Sequence, residues 1–295
     1  MEFIKAKTIL TKVKYGDTWY GVDYNINLYR GCSHGCIYCD SRSNCYHIDN
    51  FDVPKGKENA LEILEKELSK KTDHGVVGIG SMSDTYNPLE KEYEKTRGAL
   101  KLLSKYNFGV SIDTKSDLIL RDLDIIKEIN TKNNVIIKFT ITTPHDDLSK
   151  IIEPRVCPSS KRFDAIKTLT DNGIFAGIMM NPVLPFITDS EEDIKLLVKK
   201  AHECGAKFIQ TFMGMTLREN QRDYYFEMLD KHFKGLKDKY IKYYGNSYNC
   251  PVPNYKNLYK IFTEECDKYN ILYKMEDIKN AYKKEIKTDK QISLF

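Results

Sequence analysis

The 295-residue sequence has no apolar run of the ~18 to 20 residues that a bilayer-spanning helix requires. Its first ten residues lack the apolar core of a secretory signal, because Glu2, Lys5 and Lys7 interrupt them. A membrane is therefore not an expected partner, and the expected compartment is the cytoplasm. Internal repeats and low-complexity stretches are missing as well, which excludes a repeat array. Charge of one sign is scarce as a surplus. Lys and Arg number 46 and Asp and Glu 42, a formal net charge of +4. That bias is compatible with a nucleic-acid partner but does not require one. A second CxxC knuckle, the usual mate in a zinc ribbon, is also lacking.

Hydrophobic residues make up 41% of the chain and charged residues 30%, values that suit a folded protein. β-Branched apolar runs over residues 24–28, 76–79, 108–112, 135–141, 174–180 and 207–212 predict six strands. The segments between them carry apolar residues at three- and four-residue spacing, as in Ala60, Leu61, Leu64 and Leu68 or Ile194, Leu197, Val198 and Ala201. Gly173 and Gly205 fall where helices should stop. The alternation predicts about six βα units and an α/β fold. Six parallel units form either a doubly wound sheet or a partial barrel. In both, the site lies beyond the C-terminal ends of the strands. After about residue 216 the pattern changes to a helix over 218–244, a loop over 245–254 and a helix over 255–269. Residues 1–215 thus read as the core with an N-terminal extension, 216–282 as a mainly helical region and 283–295 as a flexible tail. More than half of the 20 tyrosines lie after residue 215. They either stack on bases or pack helices with their hydroxyls toward water.

Eight cysteines in a reducing compartment point to metal or chemistry rather than disulfides. Three follow the first strand in the loop Tyr29-Arg30-Gly31-Cys32-Ser33-His34-Gly35-Cys36-Ile37-Tyr38-Cys39. CxxxCxxC can hold three irons of a cubane cluster and leave the fourth open to a ligand. Other arrangements use the same cysteines. A structural zinc would add Cys45, His34 or His47, an electron-transfer cluster would add Cys45, and the thiols could be unligated.

That loop resembles the signature of the radical S-adenosylmethionine (SAM) superfamily. Its surroundings are similar to the branch that contains spore photoproduct lyase. The likeness continues in Ser83-Asp84, Thr114-Lys115-Ser116-Asp117, Ile119, Arg121-Asp122, Glu153-Pro154-Arg155 and Asn181-Pro182-Val183-Leu184-Pro185. It covers about residues 7–212. It implies a partial (β/α)6 TIM-type barrel with a helical C-terminal extension. It further implies a [4Fe–4S] cluster on Cys32, Cys36 and Cys39, and SAM bound to the open iron. An electron donor such as flavodoxin or ferredoxin would be needed, and a 5′-deoxyadenosyl radical would abstract hydrogen from a substrate. Ser83 and Asp84 would hold the SAM ammonium, although the same residues suit a helix cap. Lys115 would face the SAM carboxylate, Thr140 its ribose or carboxylate, and Tyr38 its adenine. Glu153, Arg155 and Arg162 would line the pocket or pair at its rim. The lyase carries a cysteine shortly before the Ser-Asp pair to return hydrogen. Here the stretch is Gly80-Ser81-Met82, so the resemblance does not extend to that reaction.

Two further expectations concern partners. Gln291-Ile292-Ser293-Leu294-Phe295 resembles the short peptides that dock on the bacterial sliding clamp, with Gln291, Leu294 and Phe295 as anchors. The alternative is a tail folded back on the barrel. The substrate is expected to be DNA, as in lesion repair by a lyase. A peptide or small-molecule substrate, and a non-catalytic iron–sulfur or zinc module, are the competing readings.

Overall fold

Six runs rich in Val, Ile and Ala form the strands of one parallel sheet: β1 (Tyr24–Ile26), β2 (Val76–Ile79), β3 (Gly109–Thr114), β4 (Val135–Thr140), β5 (Ala176–Met180) and β6 (Ile209–Thr211). The structure, a computed structural model, describes residues 2–14 and 19–283. Each strand is hydrogen-bonded to the next in sequence, from β1 to β6, and a two-residue antiparallel strand, Thr11–Lys12, extends the sheet at β1. A doubly wound sheet would reverse direction from its middle. Consecutive order without a β1–β6 pairing is that of an open, partial barrel.

Crossover helices α1 (Ala60–Leu68), α2 (Lys95–Lys105), α3 (Leu123–Lys132), α4 (Ser159–Asp171) and α5 (Glu191–Glu203) link the strands. Their apolar stripes pack on one face of the sheet. Val77, Ile79, Val110, Ile112, Ile137, Phe139 and Ile178 share a core with Leu64, Leu68, Leu100, Leu103, Ile126, Leu169 and Leu197. Each such side chain contributes ~1.5–3 kcal/mol on burial. The start of α5 is fixed by Ser190, whose Oγ accepts from Asp193 N at 3.0 Å, and by Glu191, Glu192 and Asp193 in its first turn. As expected, α4 and α5 stop just ahead of Gly173 and Gly205.

The other sheet face is polar, and the register shows why. Asn25, Gly78 and Ser111 are cross-strand partners, as are Asp113, Lys138 and Gly177, and then Thr140 and Met179. Partners share a face, so the interior carries amides, hydroxyls and one ion pair. Lys138 Nζ lies 2.9 Å from Asp113 Oδ1 and donates to Ser111 Oγ at 2.6 Å, 4.4 Å from the Tyr20 ring centroid. Near the strand starts, Tyr20, Val76, Ile136 and Phe208 pack with Ile278 and Tyr282 of a C-terminal helix. Among the described residues no helix is long and apolar enough to cross a membrane.

Beyond β6, β7 (Gly214–Thr216) is antiparallel to β8 (Asn249–Pro251), so the segment expected to be loop holds a strand. The division expected between residues 215 and 216 falls inside β7. The single helix expected over 218–244 is two, α6 (Gln221–His232) and α7 (Leu236–Tyr244). Gly235 separates them at φ +78°, a left-handed conformation that glycine adopts without Cβ strain. Two more helices follow, α8 (Tyr255–Lys268), which packs on α5, and α9 (Met275–Tyr282). Several tyrosines here do pack helices. Tyr225 and Tyr240 join hydroxyls at 2.9 Å, and Tyr240 donates to Pro185 O at 2.8 Å. Gln291, Leu294 and Phe295 lie outside the described residues.

Candidate functional site

A cavity of about 560 Å³ opens beyond the C-terminal ends of the strands. Cys32, Cys36 and Cys39 line it, and so do Tyr38, Ser83, Asp84, Lys115 and Thr140. Cys45 does not. It lies in a neighbouring recess, with its sulfur 3.5 Å from Arg218 Nη1.

The cysteine loop is closed at its base by antiparallel pairing of Tyr29–Arg30 with Lys55–Lys57. Cys32 N donates to Phe51 O at 2.9 Å and Ile37 N to Ile152 O at 2.9 Å. Gly31, at φ +80°, passes so close to Phe51 that a Cβ would stand 2.7 Å from its carbonyl oxygen. The loop thus turns where a side chain has no room. Residues far along the chain fasten its other side. Buried Gln221 donates to Tyr38 O at 3.0 Å and Thr216 O at 2.8 Å. Asp40 accepts from Thr216 Oγ1 at 2.9 Å and Arg218 Nε at 3.1 Å. The Arg42 guanidinium sits 3.8 Å from the Tyr224 ring centroid and is ion-paired with Asp52.

Burial pushes the Cys32 thiol up to about 11 and the Cys36 thiol well above its ordinary value. These thiols become ligands once a cation stabilises their anions. Among the described residues no three of His, Cys, Asp and Glu converge tightly enough to hold a single metal ion. His34 lines the same cavity as the three cysteines, whereas Cys45 lies in the recess beside it. Three cysteines around one cavity suit a larger, multi-iron group.

Ser83 follows β2, and its Oγ is buried without a hydrogen-bond partner. Asp84 is engaged: Oδ1 accepts from Thr114 Oγ1 at 2.7 Å and Tyr86 N at 2.8 Å, and Oδ2 from Lys115 N at 2.8 Å. It ties the end of β3 to the end of β2, with His34 Nδ1 3.6 Å away. Burial opposes the charge on Lys115, but the carboxylates of Glu153 and Asp84 favour it, and its pKa is raised. Ser116 caps the turn after β3, its Oγ accepting from Leu118 N at 3.3 Å.

Behind the cavity wall, Glu153 and Arg162 form an ion pair of 2.5 Å between fully buried side chains. The Tyr38 hydroxyl donates to the same carboxylate. Arg162 also donates to Thr140 O and Cys157 O, each at 2.9 Å, and to Ser149 Oγ at 3.3 Å. Arg155 stands apart and pairs with Asp52 at 3.4 Å. Sequence reasoning left these three charges unsorted, and it missed the Lys138–Asp113 pair and Gln221. A lysine in the middle of the apolar run 135–141 was the available signal for an inward-facing charge.

The Radical SAM superfamily sequence model matches residues 26–198, from β1 into α5. The protein belongs to the Radical SAM superfamily. Membership implies SAM and an iron–sulfur cluster, and the cavity fits both. It offers three thiols, an ammonium without an ion pair among the described residues, and an orphaned hydroxyl. An uncharacterised protein of Methanocaldococcus jannaschii is 36% identical over 191 residues, 64% of this chain and 69% of its own. An uncharacterised protein of Mycobacterium tuberculosis is 28% identical over 242 residues, 80% of this chain and 71% of its own. Spore photoproduct lyase complexed with dinucleoside spore photoproduct superposes with a TM-score of 0.66 at 14% identity, over 90% of this chain and 78% of that one. A variant of that lyase with bound AdoMet and the dinucleoside gives 0.62 at 15% identity, over 84% and 74%. At such identities the likeness is one of fold.

Proposed function

We propose that the protein holds a [4Fe–4S] cluster on Cys32, Cys36 and Cys39, cleaves SAM reductively and directs the resulting radical at DNA, with lyase- or oxidoreductase-type chemistry. When bound, the cluster supplies one electron to the S–C5′ bond of SAM and thereby a 5′-deoxyadenosyl radical. The chain's own residues bind and orient. Ser83 Oγ accepts from the SAM ammonium, and Asp84 adds its negative charge while keeping Thr114 and Lys115 in place. The Lys115 ammonium faces the SAM carboxylate. Thr140 lies at the ribose or carboxylate, and Tyr38, anchored through Glu153, lies at the adenine. The observation that carries this reading is that all eight residues, from four separate chain segments, line one cavity. The fold shared with a lyase seen with a dinucleoside supports the nucleic-acid substrate, and the positive net charge is compatible with it. An electron donor such as flavodoxin or ferredoxin, and clamp docking through Gln291, Leu294 and Phe295, belong to the same proposal.

The test is anaerobic reconstitution. The parent should carry roughly four irons and four sulfides per chain and, once reduced, release 5′-deoxyadenosine from SAM. Cys32→Ala, Cys36→Ala and Cys39→Ala should each lose the iron, and Cys45→Ala should keep it. Stoichiometric zinc without iron, or an intact cluster that never cleaves SAM, refutes the reading.

A further inference from the structure

We infer that Trp19, Phe212 and Tyr248 form a stacking rim that receives one unstacked nucleobase at the mouth of the cavity. This rests on the nucleic-acid reading above and specifies its binding site. The three side chains come from unconnected places: the segment leading into β1, the residue just after β6, and the residue just before β8. All three line the cavity, and each is 43% exposed. Exposed apolar side chains are informative when they gather around one concave site rather than lie scattered singly.

Two of the rings are held in place. Arg218 donates from Nη2 to the Tyr248 hydroxyl at 2.6 Å, and its guanidinium lies 4.8 Å from that ring's centroid. Trp19 packs edge-on to buried Tyr20, with centroids 5.1 Å apart. Fixed rings lose little entropy on binding. Aromatic faces of this kind accept any base. A base also presents a hydrogen-bonding edge, and Ser81, Asn181 and Thr216 line the same cavity. That combination suits a nucleobase better than an aromatic amino-acid side chain. A duplex cannot enter a cavity of about 560 Å³, so an unstacked base at its mouth is what the rim can receive. The strand itself would pass along the adjoining recess, which shares Tyr248 and carries Arg218 and Arg222. Glu219 and Asp223 line that recess too. Stacking rather than charge therefore dominates, and the salt dependence of binding should be shallow.

The experiment measures anisotropy of a labelled single-stranded oligonucleotide with the anaerobic, SAM-loaded holoprotein. Trp19→Ala, Phe212→Ala and Tyr248→Ala should each weaken binding ~5- to 150-fold, the equivalent of ~1–3 kcal/mol per stacked base. Iron content and melting temperature should match the parent. An abasic strand should bind parent and variants equally weakly. Trp19 is the only tryptophan in the chain, so its emission should respond to the base-bearing strand and ignore the abasic one. Parent-like binding by all three variants overturns the inference. So does weakened SAM binding with strand binding intact, which would make the rim a seat for the cofactor's adenine. A response to aromatic peptides but not to the strand overturns it in favour of a peptide substrate. SAM cleavage is followed on the same samples. Its absence refutes the enzymatic reading and leaves the rim standing, whereas cleavage without any rim effect refutes the rim alone.

Discussion

Replacing Arg162 with Met leaves the Glu153 carboxyl without its ion-pair partner, in a place where neither side chain reaches water. Breaking a buried pair from one side costs ~3–5 kcal/mol. The lost hydrogen bonds to Thr140 O, Cys157 O and Ser149 Oγ point the same way and are not simply additive. At the ~2–4 °C per kcal/mol expected for a large domain, the melting temperature should fall by ~6–20 °C. Urea unfolding of the metal-free protein, followed by circular dichroism, reads the same loss without the cofactor's contribution to stability. The double change Glu153→Gln with Arg162→Met should recover much of it, because no uncompensated charge remains. An Arg162→Met protein within ~1 kcal/mol of the parent would refute this reasoning. A double variant that loses the sum of the two single effects would show that the pair is not coupled.

Ser83→Ala should leave stability unchanged, since the hydroxyl bonds nothing, yet weaken SAM binding ~5- to 10-fold, the worth of ~1–1.5 kcal/mol for one hydrogen bond; calorimetric titration with parent-like affinity would remove it from the SAM site. Asp84→Asn turns one accepting oxygen into a donor against Thr114 Oγ1, Tyr86 N or Lys115 N. It should cost ~1–3 kcal/mol in urea unfolding as well as SAM affinity, and a stability equal to the parent's would contradict the strut described for it. Gly31→Ala puts a methyl 2.7 Å from Phe51 O at φ +80° and should cost ~1–3 kcal/mol together with iron content. Gly245→Ala, at φ +53° with open space around its Cβ, is the control that should keep its iron.

The parallel strands were legible to within two residues at each end because buried strands announce themselves as unbroken runs such as Val135-Ile136-Ile137. The cysteine loop was legible because its chemistry is compressed into eight residues. What escaped has its cause at long range. β8 is three residues with a proline, and only its pairing with Gly214–Thr216 makes it a strand. The break between α6 and α7 is marked by Gly235, but the apolar spacing continues across it and hides it. Gln221 looks like any surface glutamine, and only the fold turns its amide to Tyr38. Trp19 precedes the first strand and carries no local sign that it borders the site.

The fastening of the cysteine loop also has a consequence in time. Tyr38 and its tie Gln221 are 183 residues apart, and Asp40 and Thr216 are 176 apart. At the ~5–20 residues per second of protein synthesis, the cysteines leave the ribosome roughly 10 to 40 seconds before the residues that clasp them. During that interval the loop has its glycine turn but not its C-terminal clasp. A chain in that state exposes thiols that the finished protein buries. A metal loaded before residue 221 emerges would meet a loop that lacks the Gln221 tie, so the clasp favours loading once the C-terminal helices have been made.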